Sequence, residues 1–219
     1  MPETRGLLII GGDAPEDAPR FEDPESRWVI VAADSGLYHA ERYALRPDII
    51  VGDFDSLDTD WVSRYFGTVP REEYDRAKDY TDTEIGLRYL WKRGITEVTM
   101  VGGGGGRLDH LLGLRSLFDR DQTPIRWITD HADVILIDNV VEFESQKGET
   151  VSFFPAGPDT CRMRTRGLRW ELDKLEWGRG DAGISNEFVG DLCRVEILNG
   201  RLLMVRELTQ APSLPGIVM

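Results

Sequence analysis

The sequence is short of cysteine, histidine and positive charge, and each shortage excludes something. Only two cysteines, Cys161 and Cys193, occur in 219 residues. They lie far apart without a CxxC pair, so neither a disulfide framework nor a zinc site is indicated. Of three histidines, His39 and His131 carry no motif. Lysine and arginine number 26 against 39 aspartates and glutamates. The net charge of −13 repels a phosphate backbone at long range, which argues against nucleic acid as a partner. No window reaches the roughly 18 unbroken apolar residues that a membrane helix needs. The run Leu7-Leu8-Ile9-Ile10 is too short for the apolar region of a secretory signal, so the expected location is the cytoplasm. Gly-Lys-Ser/Thr, the end of a Walker loop, is absent, as are internal repeats and low-complexity linkers.

What is present fits a soluble globular protein. Apolar residues make up 41% and charged residues 30%, and the length suits one large domain or two small ones. Short apolar runs at Leu7 to Ile10, Trp28 to Ala33, Ile49 to Val51 and Val98 to Val101 suit strands covered on both faces. Helical patterns fall between them, at Leu37 to Ala44, Trp61 to Phe66, Thr83 to Arg93 and Leu108 to Arg120. That alternation predicts an α/β domain with a mostly parallel sheet. Further apolar runs occur at Ile125 to Ile128 and Val134 to Ile137. From about residue 140 the texture changes to short β segments, including Val151 to Phe154 and Cys193 to Leu198. Asn199-Gly200 between two apolar runs reads as a hairpin turn. The second half is therefore an antiparallel β domain, with residues 1–140 and 141–219 as the two units.

Three constellations carry chemistry. The first is an apolar strand delivering Asp53 and Asp55 at its carboxyl end, within Gly52-Asp53-Phe54-Asp55-Ser56. That edge is where open α/β sheets bind ligands. In an extended segment residues two apart face the same side, so the two carboxylates can meet one hard cation. A solvated acidic turn is the competing reading. The second is Lys78-Asp79-Tyr80-Thr81-Asp82-Thr83-Glu84. Thr81 and Glu84 have the spacing of a capping box, with Asp82 in the first helical turn. Capping alone explains an aspartate there, but Lys78 and Asp79 just upstream point to a helix start that faces a phosphate and its metal. The third is Gly102-Gly103-Gly104-Gly105-Gly106-Arg107-Leu108-Asp109-His110. Five glycines imply close approach of the main chain to a ligand. Loop amides and the helix start suit a phosphate, and Arg107 can grip its oxygens as a fork. His110 reads either as part of the site or as a packed structural histidine. A weaker element, Val31-Ala32-Ala33-Asp34-Ser35-Gly36, runs from a strand into a small-residue turn that can contact a nucleotide.

In order and spacing these segments resemble the thiamin pyrophosphokinase family. Its pattern runs Ala-Asp-Gly, Pro-Asp with Gly-Asp-x-Asp-Ser, Asp-x-Thr-Asp, and Gly-Gly-Arg-x-Asp-His. The likeness extends through Gly167-Leu168-Arg169-Trp170, Ile184-Ser185-Asn186 and the closing Gly200-Arg201-Leu202-Leu203. Two positions depart from it: Ser35 where a second glycine is usual, and Gly113 where an asparagine commonly follows the Asp-His pair. The resemblance implies an ATP-binding α/β domain and a C-terminal β-sandwich, in a homodimer whose active sites combine both subunits. It implies that Asp53, Asp55 and Asp82 hold Mg²⁺. Arg107 and Asp109 would serve catalysis at the phosphates. Asp34, Ser35, Lys78, Asp79, Thr81, Gly104, Gly105, Gly106 and His110 would line the nucleotide side. Trp170, Ser185 and Asn186 would meet thiamin, where an aromatic face suits a cationic thiazolium; a tryptophan buried in the core is the alternative. The reaction implied is pyrophosphoryl transfer from ATP to thiamin, with AMP leaving. Two rivals stand beside it. A haloacid-dehalogenase-like phosphatase also places Asp-x-Asp after a strand, but it makes no use of Gly102 to Asp109. A non-catalytic thiamin or nucleotide sensor would not need the full set of aspartates.

Overall fold

The computed structural model of the chain describes residues 3–22, 25–55, 57–75, 79–208 and 211–214. In chain order the elements are β1 (Thr4–Ile9), β2 (Arg20–Phe21), β3 (Arg27–Ala33), α1 (Gly36–Arg42), β4 (Ile49–Gly52), α2 (Thr59–Phe66), β5 (Arg71–Glu73), α3 (Asp82–Trp91), β6 (Val98–Val101) and α4 (Leu108–Ser116). After these come β7 (Arg126–Ile128), β8 (Ala132–Ile137), β9 (Val140–Glu144), β10 (Thr150–Ala156), β11 (Cys161–Arg166), β12 (Glu176–Trp177), β13 (Gly183–Glu187), β14 (Leu192–Asn199), β15 (Arg201–Glu207) and β16 (Ser213–Leu214). None of the described helices is long and apolar enough to cross a membrane.

The expected strands form because their apolar runs can be buried on both faces. In β1, Leu8 packs with Val31 and Met100 against α3 and α4, while Leu7 and Ile9 pack with Ala32 and Ile50 against α1 and α2. The period of two along each strand thus feeds two helical layers. The sheet runs β5-β4-β3-β1-β6-β7 in parallel, then continues antiparallel through β8, β15, β10 and β13 to make ten strands. A second, four-stranded sheet, β12-β11-β14-β9, covers the antiparallel part. Ile135, Phe153 and Met204 from the large sheet meet Met163, Cys193 and Val195 from the small one, as in a sandwich. The α/β unit and the antiparallel sandwich are as the sequence implies. Cys161 and Cys193 are free and buried in that interior; burial pushes their thiols up to about 11 and about 12.

Two expectations need correction. The helix over Leu108 to Arg120 ends at Ser116, and Leu117–Asp119 tighten into a 3₁₀ turn before the chain enters β7, a common way for a helix to finish. Asn199-Gly200 does not close a hairpin: β14 pairs with β11 and β9, whereas β15 pairs with β8 and β10. The turn is an arch that carries the chain from the small sheet to the large one. Only Gly200 is left-handed there, with φ of 74°, whereas the favoured hairpin turn for Asn-Gly needs φ above zero at both residues. The Asn199 amide instead donates to Thr160 O at 2.6 Å, fixing the arch to the turn before β11.

Gly200→Ala should therefore destabilise the protein by more than about 1 kcal/mol, since a Cβ incurs the left-handed penalty. That Cβ would also stand 2.7 Å from Thr160 O. Gly178→Ala, with nothing within 4 Å of the new Cβ, should stay within about 0.5 kcal/mol. Denaturant unfolding of the two variants checks this; equal stability would contradict the arch.

Candidate functional site

The parallel strands run outward from β1 through β3 and β4 to β5, and the chain then returns to β6 on the other side of β1. At such a reversal the loops leaving neighbouring strands diverge and open a crevice at their carboxyl ends. A cleft of about 420 Å³ lies there, bordered by the loops after β1, β3 and β6 and by the starts of α3 and α4. A second cavity of about 360 Å³ is lined by Arg5, Trp28, Arg126 and their neighbours and holds none of the expected site residues.

Carboxylates gather at this edge, though not by the expected geometry. Phe54, between Asp53 and Asp55, is left-handed with φ of 58°, and the Asp55 amide lies 3.3 Å from Asp53 Oδ1. A turn, rather than strand alternation, brings the pair together. Asp34 completes the group: it leaves β3 with φ of 45°, and its amide donates to Val51 O on the next strand at 2.9 Å. One oxygen from each of Asp34, Asp53 and Asp55 lies within 4.8 Å of the others. Oxygens sharing a Mg²⁺ at about 2.1 Å stand at most about 4.2 Å apart, so a small contraction suffices. The set is all hard oxygen and fits a magnesium ion better than a softer metal. Asp82 is adjacent, since a Cβ on Gly52 would lie 3.3 Å both from Asp82 Oδ1 and from Asp34 Cβ.

The start of α3 is built as the sequence implies. Thr81 Oγ1 accepts from the Glu84 amide at 3.2 Å, and Glu84 Oε2 accepts from the Thr81 amide at 2.9 Å. Arg120 Nη2 meets the other Glu84 oxygen at 2.7 Å. Burial acts to raise the Glu84 carboxyl, but its bonds to Thr81 and Arg120 outweigh this and hold it below the usual carboxylate range. Asp79 is exposed, and Lys78 lies outside the described residues.

The glycine loop is packed against its own chain. The Gly103 amide donates to Gly11 O at 2.7 Å and the Gly104 amide to Asp13 O at 2.9 Å. A Cβ at Gly102 would collide with Ile10 O, one at Gly103 with Leu114, and one at Gly104 with Asp130. The need for glycine here is thus contact within the protein, and the close approach to a ligand expected from sequence is not what fixes these three. Beyond them, Gly105 is half-buried and Gly106 exposed, leading into α4. Arg107 closes its fork on Asp109, with Nε 2.9 Å from Oδ1 and Nη2 2.6 Å from Oδ2. Those hydrogen bonds hold the Asp109 carboxyl well below its usual range. His110 is exposed on the cleft wall, and Ser35 borders it. His39, given no role by its sequence context, has its Nε2 2.7 Å from Gly12 O, and burial keeps its pKa below the ordinary value.

Trp170, Ser185 and Asn186 form a separate group. Trp170 is 54% exposed rather than in the core, with the Arg169 guanidinium 4.9 Å from its ring centroid. Asn186 is buried and commits its side chain to Trp170: Oδ1 accepts from the Trp170 amide at 3.2 Å and Nδ2 donates to its carbonyl at 2.7 Å. Ser185 is left-handed and exposed on β13. Five strand spacings separate β13 from β6, or about 24 Å along the sheet, and none of the three residues borders the cleft. Sequence reasoning had no sign of Arg120 or of Gly11 to Asp13 as parts of the site, although Gly-Gly-Asp after an apolar strand was a usable signal for the latter.

Comparison with known proteins gives consistent matches. The model described as "Thiamin pyrophosphokinase, catalytic domain" matches residues 24–127, and that described as "Thiamin pyrophosphokinase, vitamin B1 binding domain" matches residues 138–202. Thiamine pyrophosphokinase of Bacillus subtilis (strain 168) is 26% identical over 208 residues, covering 91% of this chain and 96% of that one. Thiamine pyrophosphokinase 2 of Arabidopsis thaliana is 29% identical over 150 residues, 62% of this chain and 55% of its own length. Among solved structures, the Bacillus subtilis enzyme superposes with a TM-score of 0.76 at 20% identity, over 94% of this chain and all of that one. Thiamin pyrophosphokinase from Geobacillus thermodenitrificans gives 0.71 at 25% identity, over 94% and 99%.

The carboxylate group generates a test that needs no turnover. Titration with Mn²⁺, followed by electron paramagnetic resonance, should show one saturable site per chain. Asp34→Asn should weaken it by at least about tenfold, because affinity follows the number of charged ligands. An unchanged affinity would remove Asp34 from the group.

Proposed function

The chain belongs to the thiamin pyrophosphokinase family, and from that premise we propose how it works: it makes thiamin diphosphate by moving the pyrophosphoryl group of ATP to the hydroxyl of thiamin, releasing AMP. The observation that carries the reading is the convergence of Asp34, Asp53 and Asp55 beside a cleft at the switch point. Residues 1–140 would hold the nucleotide and 141–219 the thiamin side, in the cytoplasm. Mg²⁺ held by the three aspartates would neutralise charge on the polyphosphate. The protein's own part is positioning and electrostatics, as in other phosphoryl transfers. The loop end at Gly105 and Gly106 and the start of α4 would receive phosphate oxygens, with Arg107 turning from Asp109 to join them. Ser35, Thr81, Asp79, Lys78 and His110 complete the nucleotide side. Asp82, held at the first turn of α3, would orient the thiamin hydroxyl and take its proton as the oxygen attacks the β-phosphorus in line.

The thiamin side would come from a second copy of the chain. Trp170 lies too far from the aspartates for one small substrate to reach both within a subunit. Leu108 and Leu112, 66% and 61% exposed, form an apolar strip on α4 next to the glycine loop. Ile184, 68% exposed, is a single apolar side chain beside Ser185. The leucine pair and Ile184 suit a homodimer that joins one subunit's cleft to the partner's Trp170. With Arg169 on one side of the indole, a thiazolium would stack on the other.

Three outcomes check this reading. Turnover with ATP, Mg²⁺ and thiamin should release AMP; ADP or free phosphate would overturn it. Asp55→Asn should lower turnover by about 10²–10³ while the melting curve is kept, whereas Trp170→Ala should weaken thiamin by about 1–2 kcal/mol and spare ATP. Assayed with thiamin kept well below the KM of Trp170→Ala, where both variants are nearly idle, an equal mixture should recover up to about a quarter of wild-type activity, since half the dimers would be hybrids with one intact site each. No recovery after subunit exchange would show that each site is built within one chain.

A further inference from the structure

Four carboxylates, Asp34, Asp82, Glu84 and Asp109, border the cleft, and among its described lining residues Arg120 alone carries a permanent positive charge. A triphosphate entering such a space is repelled by its walls unless cations oppose them. The aspartate trio can hold one cation on the β3 and β4 side. On the α4 side Arg107 has its fork closed on Asp109.

Arg120 comes directly after the 3₁₀ turn and is fixed from behind by the sandwich. Arg201 donates to its carbonyl at 3.0 Å, the Gly157 amide donates to Asp119 at 2.9 Å, and Arg115 donates to Pro155 O at 2.7 Å. In front, Nη2 rests 2.7 Å from Glu84 Oε1, whose second oxygen caps Thr81 at the start of α3. A guanidinium has five N–H donors, of which this ion pair uses one. The side chain is 46% exposed, so turning toward an incoming anion costs little desolvation.

Resting on the reading of ATP as donor, we infer that Arg120 is a nucleotide-phosphate ligand of this site, parked on Glu84 and offering its remaining donors to the polyphosphate. The planar fork keeps one edge on Glu84 while the other takes a phosphate oxygen, which a lysine ammonium does less well. Glu84 thereby ties the nucleotide-binding cation to the helix start that carries Asp82.

The test measures ATP affinity by calorimetry and steady-state kinetics with each substrate varied, on the full chain. Arg120→Gln should raise Kd and KM for ATP by about 10- to 100-fold, the range of a hydrogen bond to a charged group, and leave the thiamin KM in place. Arg120→Lys should recover only part of the loss. The melting temperature should fall by no more than a few degrees, because Arg120 itself is half-exposed and Glu84 keeps its bond to the Thr81 amide. Glu84→Gln removes the parking partner but keeps a cap acceptor, and should affect ATP far less than Arg120→Gln. Unchanged ATP affinity in Arg120→Gln, or equal losses in Glu84→Gln and Arg120→Gln, would overturn the assignment. ATP binding by wild type without thiamin-dependent AMP release would defeat the functional reading instead, while leaving Arg120 testable by affinity.

Discussion

Three main-chain hydrogen bonds across the switch point, from Gly103 to Gly11 and in both directions between Gly104 and Asp13, hold the candidate site's edge together. Strand order reverses there: the segment after β1 packs Ala14 on the face that carries α1 and α2, whereas the loop after β6 leads into α4 on the other face, so the two would otherwise separate. Glycine lets them touch, because any side chain at Gly102, Gly103 or Gly104 would enter occupied space. The His39 ring adds a bond to Gly12 O in the same seam. With the seam closed, the start of α4 is fixed relative to the aspartates after β3 and β4. A site that works by placing charge depends on such rigidity, because dipoles already oriented cost nothing to reorganise during the reaction.

Electrostatics otherwise oppose the proposed ligand. A chain of net charge −13 gathers still more carboxylates around the cleft, which makes sense only if each has a partner. Asp109 has Arg107, Glu84 has Arg120 and the Thr81 amide, and Asp34, Asp53 and Asp55 have the geometry of a cation site. The arginines held by carboxylates are the same ones a polyphosphate would recruit. Arg120 can keep one edge of its guanidinium on Glu84 while the other meets a phosphate oxygen, so binding there need not leave that carboxylate as an isolated charge.

The sandwich serves the cleft from a distance. Arg201 and the turn after β10 brace the segment carrying Arg120, while Asn186 locks the backbone of Trp170. Asn186 thus sets the position of the aromatic ring, with its own polar atoms already committed. The continuous ten-stranded sheet transmits no shared site within one chain, because it sets the two groups far apart along its width.

Sequence alone determined the features that obey local rules. Apolar runs and helical periods specified the alternating parallel sheet, Thr81 and Glu84 the start of α3, and Asp53 and Asp55 at a strand end marked the edge where the carboxylates gather. Those features depend on neighbours within a few residues, where periodicity and capping operate. Tertiary structure decided the rest. Asn199-Gly200 became an arch because β14 and β15 found partners in different sheets, a choice set by long-range pairing. Asp34 joined the aspartate pair, and Arg120 reached Glu84, across 19 and 36 residues of chain; no local pattern encodes such convergence. The glycine loop was visible, but its reason was not, because the atoms that exclude a side chain come from Ile10, Leu114 and Asp130, which only folding brings to it.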